Sequence, residues 1–298
     1  MKGFQMGLLV LISIPLYGTG QTKQMALADL QSLLYAEKEW IKVHVAEFLL
    51  WEGYYADEVR AEFSKEEQQS GHLPKYRIGI WRVLAQAAAD NKDRQCWIDK
   101  IISVYRDTTA EDRLHAIETL AKLKVPVIRH LPENLEGSFR LYSLWNQALG
   151  SESEQRKVKD ILIQDLVNNK LTEIEIQVTS YILRYIGPLS RKEYNQIVTW
   201  MKEIDLKTAS RSNLLATLLI SYPKNQPIHI KKALKQELIS LQNEKEALPH
   251  IMMALAQKGD VSDKETILSL YEHACDKNST EYNSDLHATA AYMLLKSF

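Results

Sequence analysis

The strongest constraint on this chain is a short pattern that returns at the length of one helical hairpin. Lys42-Val-His44-Val-Ala46-Glu47-Phe-Leu49 has its counterpart in Arg113-Leu-His115-Ala-Ile117-Glu118-Thr-Leu120. Between them Arg77-Ile-Gly79-Ile-Trp81-Arg82-Val-Leu84 holds the same phase, at offsets of 35 and 36 residues. Three later segments, Arg211 to Leu218, Leu248 to Leu255 and Asp285 to Tyr292, keep the apolar spacing and lose the polar signature. A period of this length describes units that cannot bury their apolar faces alone and gain a continuous core by stacking. The predicted fold class is therefore all-α, an α-solenoid of antiparallel helical hairpins.

The rest of the chain agrees with that period. Apolar residues recur at spacings of three and four, and sustained alternation of the kind strands need is scarce. Fifteen helices are predicted, among them Trp40 to Trp51, Ile78 to Ala88, Glu173 to Ile186, Arg191 to Glu203 and Asp285 to Ser297. Thr172-Glu-Ile-Glu175 and Ser190-Arg-Lys-Glu193 read as capping boxes, where hydroxyl and glutamate satisfy amides that a helix leaves unpaired at its start. Gly53, Gly150, Gly187 and Gly259 stand where helix terminators belong. Connections are mostly short and no Pro, Gly or Ser-rich linker divides the chain, so residues 21–298 form one predicted domain, most regular over 36–124. About 278 residues at a period of about 36 make roughly eight units.

The first 20 residues stand outside the array. Lys2 is followed by an apolar run from Met6 to Leu16, interrupted by Pro15, and then by small residues. That is the layout of a signal peptide, and the run is short for a membrane span, although a short anchor or a hydrophobic terminal helix has the same composition. The expectation is cleavage near Gln21, a periplasmic or secreted location, and no stable membrane insertion afterwards. Cys96 and Cys275 are too few to make a disulfide framework; they read as free thiols in helices, with pairing as the alternative in an oxidising compartment. Asn278-Ser279-Thr280 fits an N-glycosylation acceptor.

Charge removes other classes. With 37 basic and 38 acidic side chains the formal charge is -1, so there is no overall positive field to collect nucleic acid or an anionic membrane. No CxxC pair, HExxH, calcium loop or phosphate loop occurs, and no cofactor is predicted. His44, His115 and their neighbouring glutamates lack compact metal-ligand spacing, so no metal is predicted either.

The units built on His44-Val-Ala-Glu47-Phe-Leu and His115-Ala-Ile-Glu118-Thr-Leu resemble HEAT-like repeats of the armadillo superfamily, in the short form found in bacterial exported proteins. The resemblance implies a curved, right-handed superhelix used as a binding scaffold, with enzymatic roles in a minority of relatives. Only the first three units match closely, which leaves regular curvature after Leu123 unspecified.

Helical offsets of three, four and seven put His44, Glu47 and Trp51 in one stripe, and stacking brings Arg82, His115 and Glu118 alongside. As a binding surface, Arg82 would fork onto a carboxylate or sulfate, with Trp40, Trp51, Arg77 and Trp81 completing the site. The matching partners are an acidic glycan or a periplasmic or extracellular protein. As a catalytic surface, His44, Glu47, Tyr76, Arg82, His115 and Glu118 are candidates for lyase or glycoside hydrolase chemistry. The alternative is structural: interhelical salt bridges that fix the stacking. Trp145 and Trp200 are predicted core residues.

Overall fold

The computed structural model describes residues 19–131, 134–280 and 282–298. Among them are fifteen α-helices, two short 3-10 turns and no strand, so the chain is all-helical. In order these are α1 (Thr19–Ala36), α2 (Glu39–Trp51), α3 (Ala56–Ser70), α4 (Pro74–Gln86), α5 (Asn91–Arg106), α6 (Arg113–Lys122), α7 (Gly137–Ala148) and α8 (Glu152–Val167). The second half holds α9 (Glu173–Leu183), α10 (Arg191–Glu203), α11 (Thr208–Ile220), α12 (Ile228–Ile239), α13 (Leu248–Lys258), α14 (Lys264–Cys275) and α15 (Ser284–Ser297). Of the predicted signal peptide, residues 1–18 lie outside the described residues, and Thr19 and Gly20 open α1.

Local chemistry sets several of these boundaries. Both predicted capping boxes are formed, at Thr172 with Glu175 and at Ser190 with Glu193. Helix α4 starts at Pro74, four residues before the predicted Ile78, because a proline in the first turn gives up only an amide that has no intrahelical partner. Gly53 follows α2 at φ 77°, a left-handed turn that a side chain would strain.

Two populations of helix are distinguished by burial. Helix α11 buries ten of its thirteen residues, whereas α3, with fifteen, buries Val59 and Phe63 only. The heavily buried helices contact one another in succession: α2 packs on α4, α4 on α6, α6 on α7, α7 on α9, α9 on α11, α11 on α13, and α13 on α15. Helix α15 then packs on both α1 and α2, so the sequence of contacts returns to its start. An open solenoid has two free ends; in this chain the ends meet. Polar contacts reinforce the closure: His44 with Asp285 at 2.8 Å, Lys296 Nζ donating to Glu52 at 2.7 Å, and His287 with Asp29 at 3.1 Å.

The circuit has eight helices, α2, α4, α6, α7, α9, α11, α13 and α15, and the remaining seven pack around them. Between α6 and α7 no helix intervenes among the described residues. There Asn146 of α7, fully buried, accepts from the Val127 and Ile128 amides at 2.8 and 3.0 Å and donates to the Val125 carbonyl at 2.8 Å. One amide side chain thus satisfies the backbone of an extended segment that has no helix to do so. Trp145 and Trp200 are core residues, as their apolar settings predict. Both cysteines are free thiols, Cys96 exposed on α5 and Cys275 at the end of α14. No helix among the described residues is long and apolar enough to cross a membrane.

Candidate functional site

The recurring polar residues meet, but most of them are spent on each other. Arg82 Nε and Nη2 each donate to a different oxygen of Glu47 at 2.8 Å, and Nη1 donates to Thr119 Oγ1 at 3.3 Å. Both partners are almost fully buried. Burial works against the charge on Glu47, yet the Arg82 guanidinium, and Lys122 beyond it, hold its carboxyl below the usual carboxylate range. The predicted ligand fork is therefore occupied from within. Gln86 Nε2 donates to Glu47 Oε1 at 2.9 Å, and the Arg82 guanidinium lies 5.8 Å from the Trp40 ring centroid.

Trp40 also meets His115 edge to face at 5.5 Å. It can lie this way because Gly79 holds the position that histidine holds in the flanking units: a Cβ there would come within 2.9 Å of Val43 Cγ2 and 3.1 Å of Trp40 Cζ3. Glu118 pairs with Lys122 at 2.8 Å, one turn along α6. Burial opposes its ionisation as well, and Lys122 and Arg82 keep its carboxyl low.

Arg77, Trp81 and Tyr76 are likewise built into packing. Arg77 forks onto Asp112 at 2.7 and 2.8 Å. The Trp81 ring is 7% exposed, with the Arg77 and Lys100 cations 5.6 and 5.5 Å from its centroid, so little of it is open to a ligand. Tyr76 is buried, and desolvation with Glu66 nearby pushes its phenol far up, so it holds its proton. Lys42, also buried, donates to Glu62 at 2.7 Å and Glu66 at 2.6 Å.

What remains open is a cavity of about 270 Å³ bordered by six helices of the circuit and by residues that follow them directly. Four elements line it with residues one helical turn apart, His44, Glu47, Phe48 and Trp51 on α2, Tyr181 and Tyr185 at α9, Pro249 and Met253 on α13, and Asp285 and Thr289 on α15, while α4 and α6 contribute Gln86 and Lys122. His44 belongs here rather than to the Arg82 cluster, with Nδ1 on Asp285 Oδ1 at 2.8 Å. With Asp285 ionised, that nitrogen carries the proton and Nε2 is the basic one.

Trp51 is 44% exposed and Tyr185 46%, so two large aromatic surfaces border the cavity unburied. The Trp51 indole N–H donates to Gln86 Oε1 at 3.1 Å, which orients the ring. Tyr181 and Tyr185 lie 5.0 Å apart over Trp145, and Lys122 approaches the Tyr181 ring at 5.3 Å. Desolvation pushes both phenols well above the usual tyrosine value, so both keep their protons, and the two hydroxyls hydrogen-bond to each other. The site combines aromatic faces, hydroxyl and amide donors, and one imidazole held by a carboxylate.

Of the predicted residues, His44, Glu47 and Trp51 reach the cavity. Arg77, Trp81, Arg82, Trp40, Tyr76, His115 and Glu118 are held in the surrounding packing. Gln86, Lys122, Tyr181, Tyr185 and Asp285 were not singled out, although Trp51, Gln86 and Lys122 each stand four residues after the recurring Glu47, Arg82 and Glu118. Extending the repeat register by one turn finds them. Compared with protein-family models, curated proteins and solved structures, the chain gives no match.

Proposed function

We propose that this chain is a HEAT-like array of antiparallel helical hairpins, right-handed and bent until its ends join, and that it binds a glycan in the cavity its inner helices border. The observation that carries the reading is that half-exposed Trp51 and Tyr185 border one largely apolar recess with a few polar side chains. Sugar rings offer apolar C–H faces to aromatic surfaces and hydroxyls to side chains such as Gln86, His44 and Asp285. A cavity of about 270 Å³ lies just under the usual range of about 300–1,000 Å³ for small-molecule sites, which sets the occupant at about one or two sugar rings.

The charges favour a neutral or amino sugar over an acidic one. Glu47 and Asp285 border the cavity against a single lysine, Lys122, itself paired with Glu118, while Arg82 is committed to Glu47. Glu47 is neutralised by Arg82, so a uronate would meet the remaining carboxylate, Asp285, with no free cation opposite it. The signal-type segment before Gln21 supports an exported, periplasmic or secreted protein acting on such a ligand.

Calorimetric titration of the chain with neutral, amino and uronic mono- and disaccharides tests this. Trp51→Ala and Tyr185→Ala should each weaken binding at least tenfold, while Trp81→Ala leaves the affinity unchanged. Absence of binding across the panel, or preference for uronic acids, would overturn the proposal.

A second reading has its own support in the His44–Asp285 pair, since a carboxylate on Nδ1 is the arrangement that makes Nε2 a general base. In that reading the cavity performs lyase or hydrolase chemistry on the bound glycan. Product formation that disappears in His44→Gln while binding persists is its signature.

A further inference from the structure

We propose that Asp29, Cys275 and His287 form a zinc site that ties α1 to α14 and α15. Each offers one ligand atom, and the carboxylate oxygen, thiol sulfur and imidazole nitrogen lie within 4.8 Å of one another. The closest pair, His287 Nε2 and Asp29 Oδ2, is 3.1 Å apart. Tetrahedral zinc with bonds of about 2.0–2.3 Å places its ligands about 3.3–3.7 Å from each other. Nitrogen and oxygen are already near that separation, so the sulfur has the main distance to travel. Cys275 is the last residue of α14, where no further helical turn fixes the backbone that carries it.

The donor set selects the metal. One sulfur, one nitrogen and one oxygen suit zinc, whereas calcium and magnesium require oxygen shells. Zinc with a carboxylate, a thiolate and a neutral imidazole has no net charge, which lowers the cost of holding the ion where His287 is almost fully buried. The outer contacts are those a ligating histidine needs: Tyr282 Oη lies 3.1 Å from His287 Nδ1, and Tyr271 donates its hydroxyl to Asp29.

The same contacts exclude the other chemistry that cysteine, histidine and aspartate suggest. Both ring nitrogens of His287 are engaged, one by Tyr282 and one by Asp29, so neither is free to take the Cys275 proton for nucleophilic attack. On zinc binding the thiol proton leaves to solvent and the sulfur bonds the metal. The imidazole proton moves to Nδ1, facing Tyr282, and Nε2 bonds the metal. One proton is released per ion, and a water takes the fourth position.

The test uses the full chain stripped of metal and titrated with zinc, with cobalt(II) as the spectroscopic probe. One equivalent should bind, cobalt should give a thiolate charge-transfer band, and zinc should raise Tm reversibly to chelator. Cys275→Ser and Asp29→Asn should each weaken zinc by at least about 100-fold, the upper end of what losing an outer partner alone costs. Cys96→Ser should change nothing, and helical circular dichroism of the Cys275→Ser protein establishes that it remains folded. Substoichiometric zinc, or a cobalt band that survives Cys275→Ser, overturns the site.

Discussion

Phe48 of α2 and Tyr292 of α15 stack with ring centroids 4.6 Å apart and planes 13° from parallel, joining opposite ends of the chain. Trp51 stands edge-on to both, at 5.6 and 5.8 Å. The contact that closes the circuit is thus also the wall that holds the exposed indole of the cavity.

Tyr292→Ala should therefore act at two levels. Removing a buried aromatic side chain costs about 3–5 kcal/mol, readable as a lower midpoint in urea denaturation. Because Trp51 loses its edge contact, its fluorescence and any glycan affinity should change as well. A stability loss with unaltered Trp51 emission and binding would separate closure from the cavity.

The Glu47–Arg82 pair gives an asymmetric prediction. Arg82→Met leaves a buried carboxylate without its cation, and breaking a buried pair in this way costs about 3–5 kcal/mol. Replacing both partners, Glu47→Leu with Arg82→Met, should recover most of that loss, since no charge is then stranded. A double variant as unstable as the single one would show that Thr119 and Gln86 carry more of the network than the ion pair does.

Gly79→Ala sets helix propensity against packing. Alanine gains about 1 kcal/mol over glycine in a helix, but its methyl would sit 2.9 Å from Val43 Cγ2. Valine has one strongly preferred rotamer in a helix and yields little. Overpacking of about 1–3 kcal/mol should win, for a net loss of about 1 kcal/mol by chemical denaturation. Adding Val43→Ala should shrink the Gly79→Ala loss by removing the nearer obstruction, leaving the Trp40 Cζ3 contact at 3.1 Å.

His250 makes stability depend on pH. Burial, with Arg184 nearby, pushes its imidazole down to about 3. The folded state then binds fewer protons than the unfolded chain, whose histidine titrates near the ordinary value. Above about pH 6.5 the residue contributes no slope. As pH falls from there toward 3 the unfolded state is favoured, by about 1–2 kcal/mol at pH 5. His250→Gln should flatten the difference between urea midpoints at pH 7.5 and 5 by that amount.

Local features were legible in the sequence because their causes are local. All fifteen predicted helices have counterparts, Arg191 to Glu203 with identical ends, since Ser190 and Glu193 define the start within four residues. The recurring Glu47, Arg82 and Glu118 were recognised as one cluster, but periodicity gives position and not commitment. Whether Arg82 faces a ligand or Glu47 depends on the approach of two helices, which no spacing encodes. His44 with Asp285, and Asp29 with His287, were beyond reach for a different reason: they join residues from the two ends of the chain, and nothing in either segment names the other. Gln86 and Lys122 lay one turn past a pattern already in view.

The return of α15 to α2 changes how such a molecule can vary. An open stack grows by addition, because each new unit meets only its neighbour. In the closed array proposed above, adding or losing a unit would alter the bend at every junction and part the seam at Phe48 and Tyr292. In that array the number of inner helices is set by circumference, and the outer helices are where length could change. The segment that Asn146 secures between α6 and α7 is such a place: no outer helix stands there among the described residues, while the contacts of the inner circuit are complete.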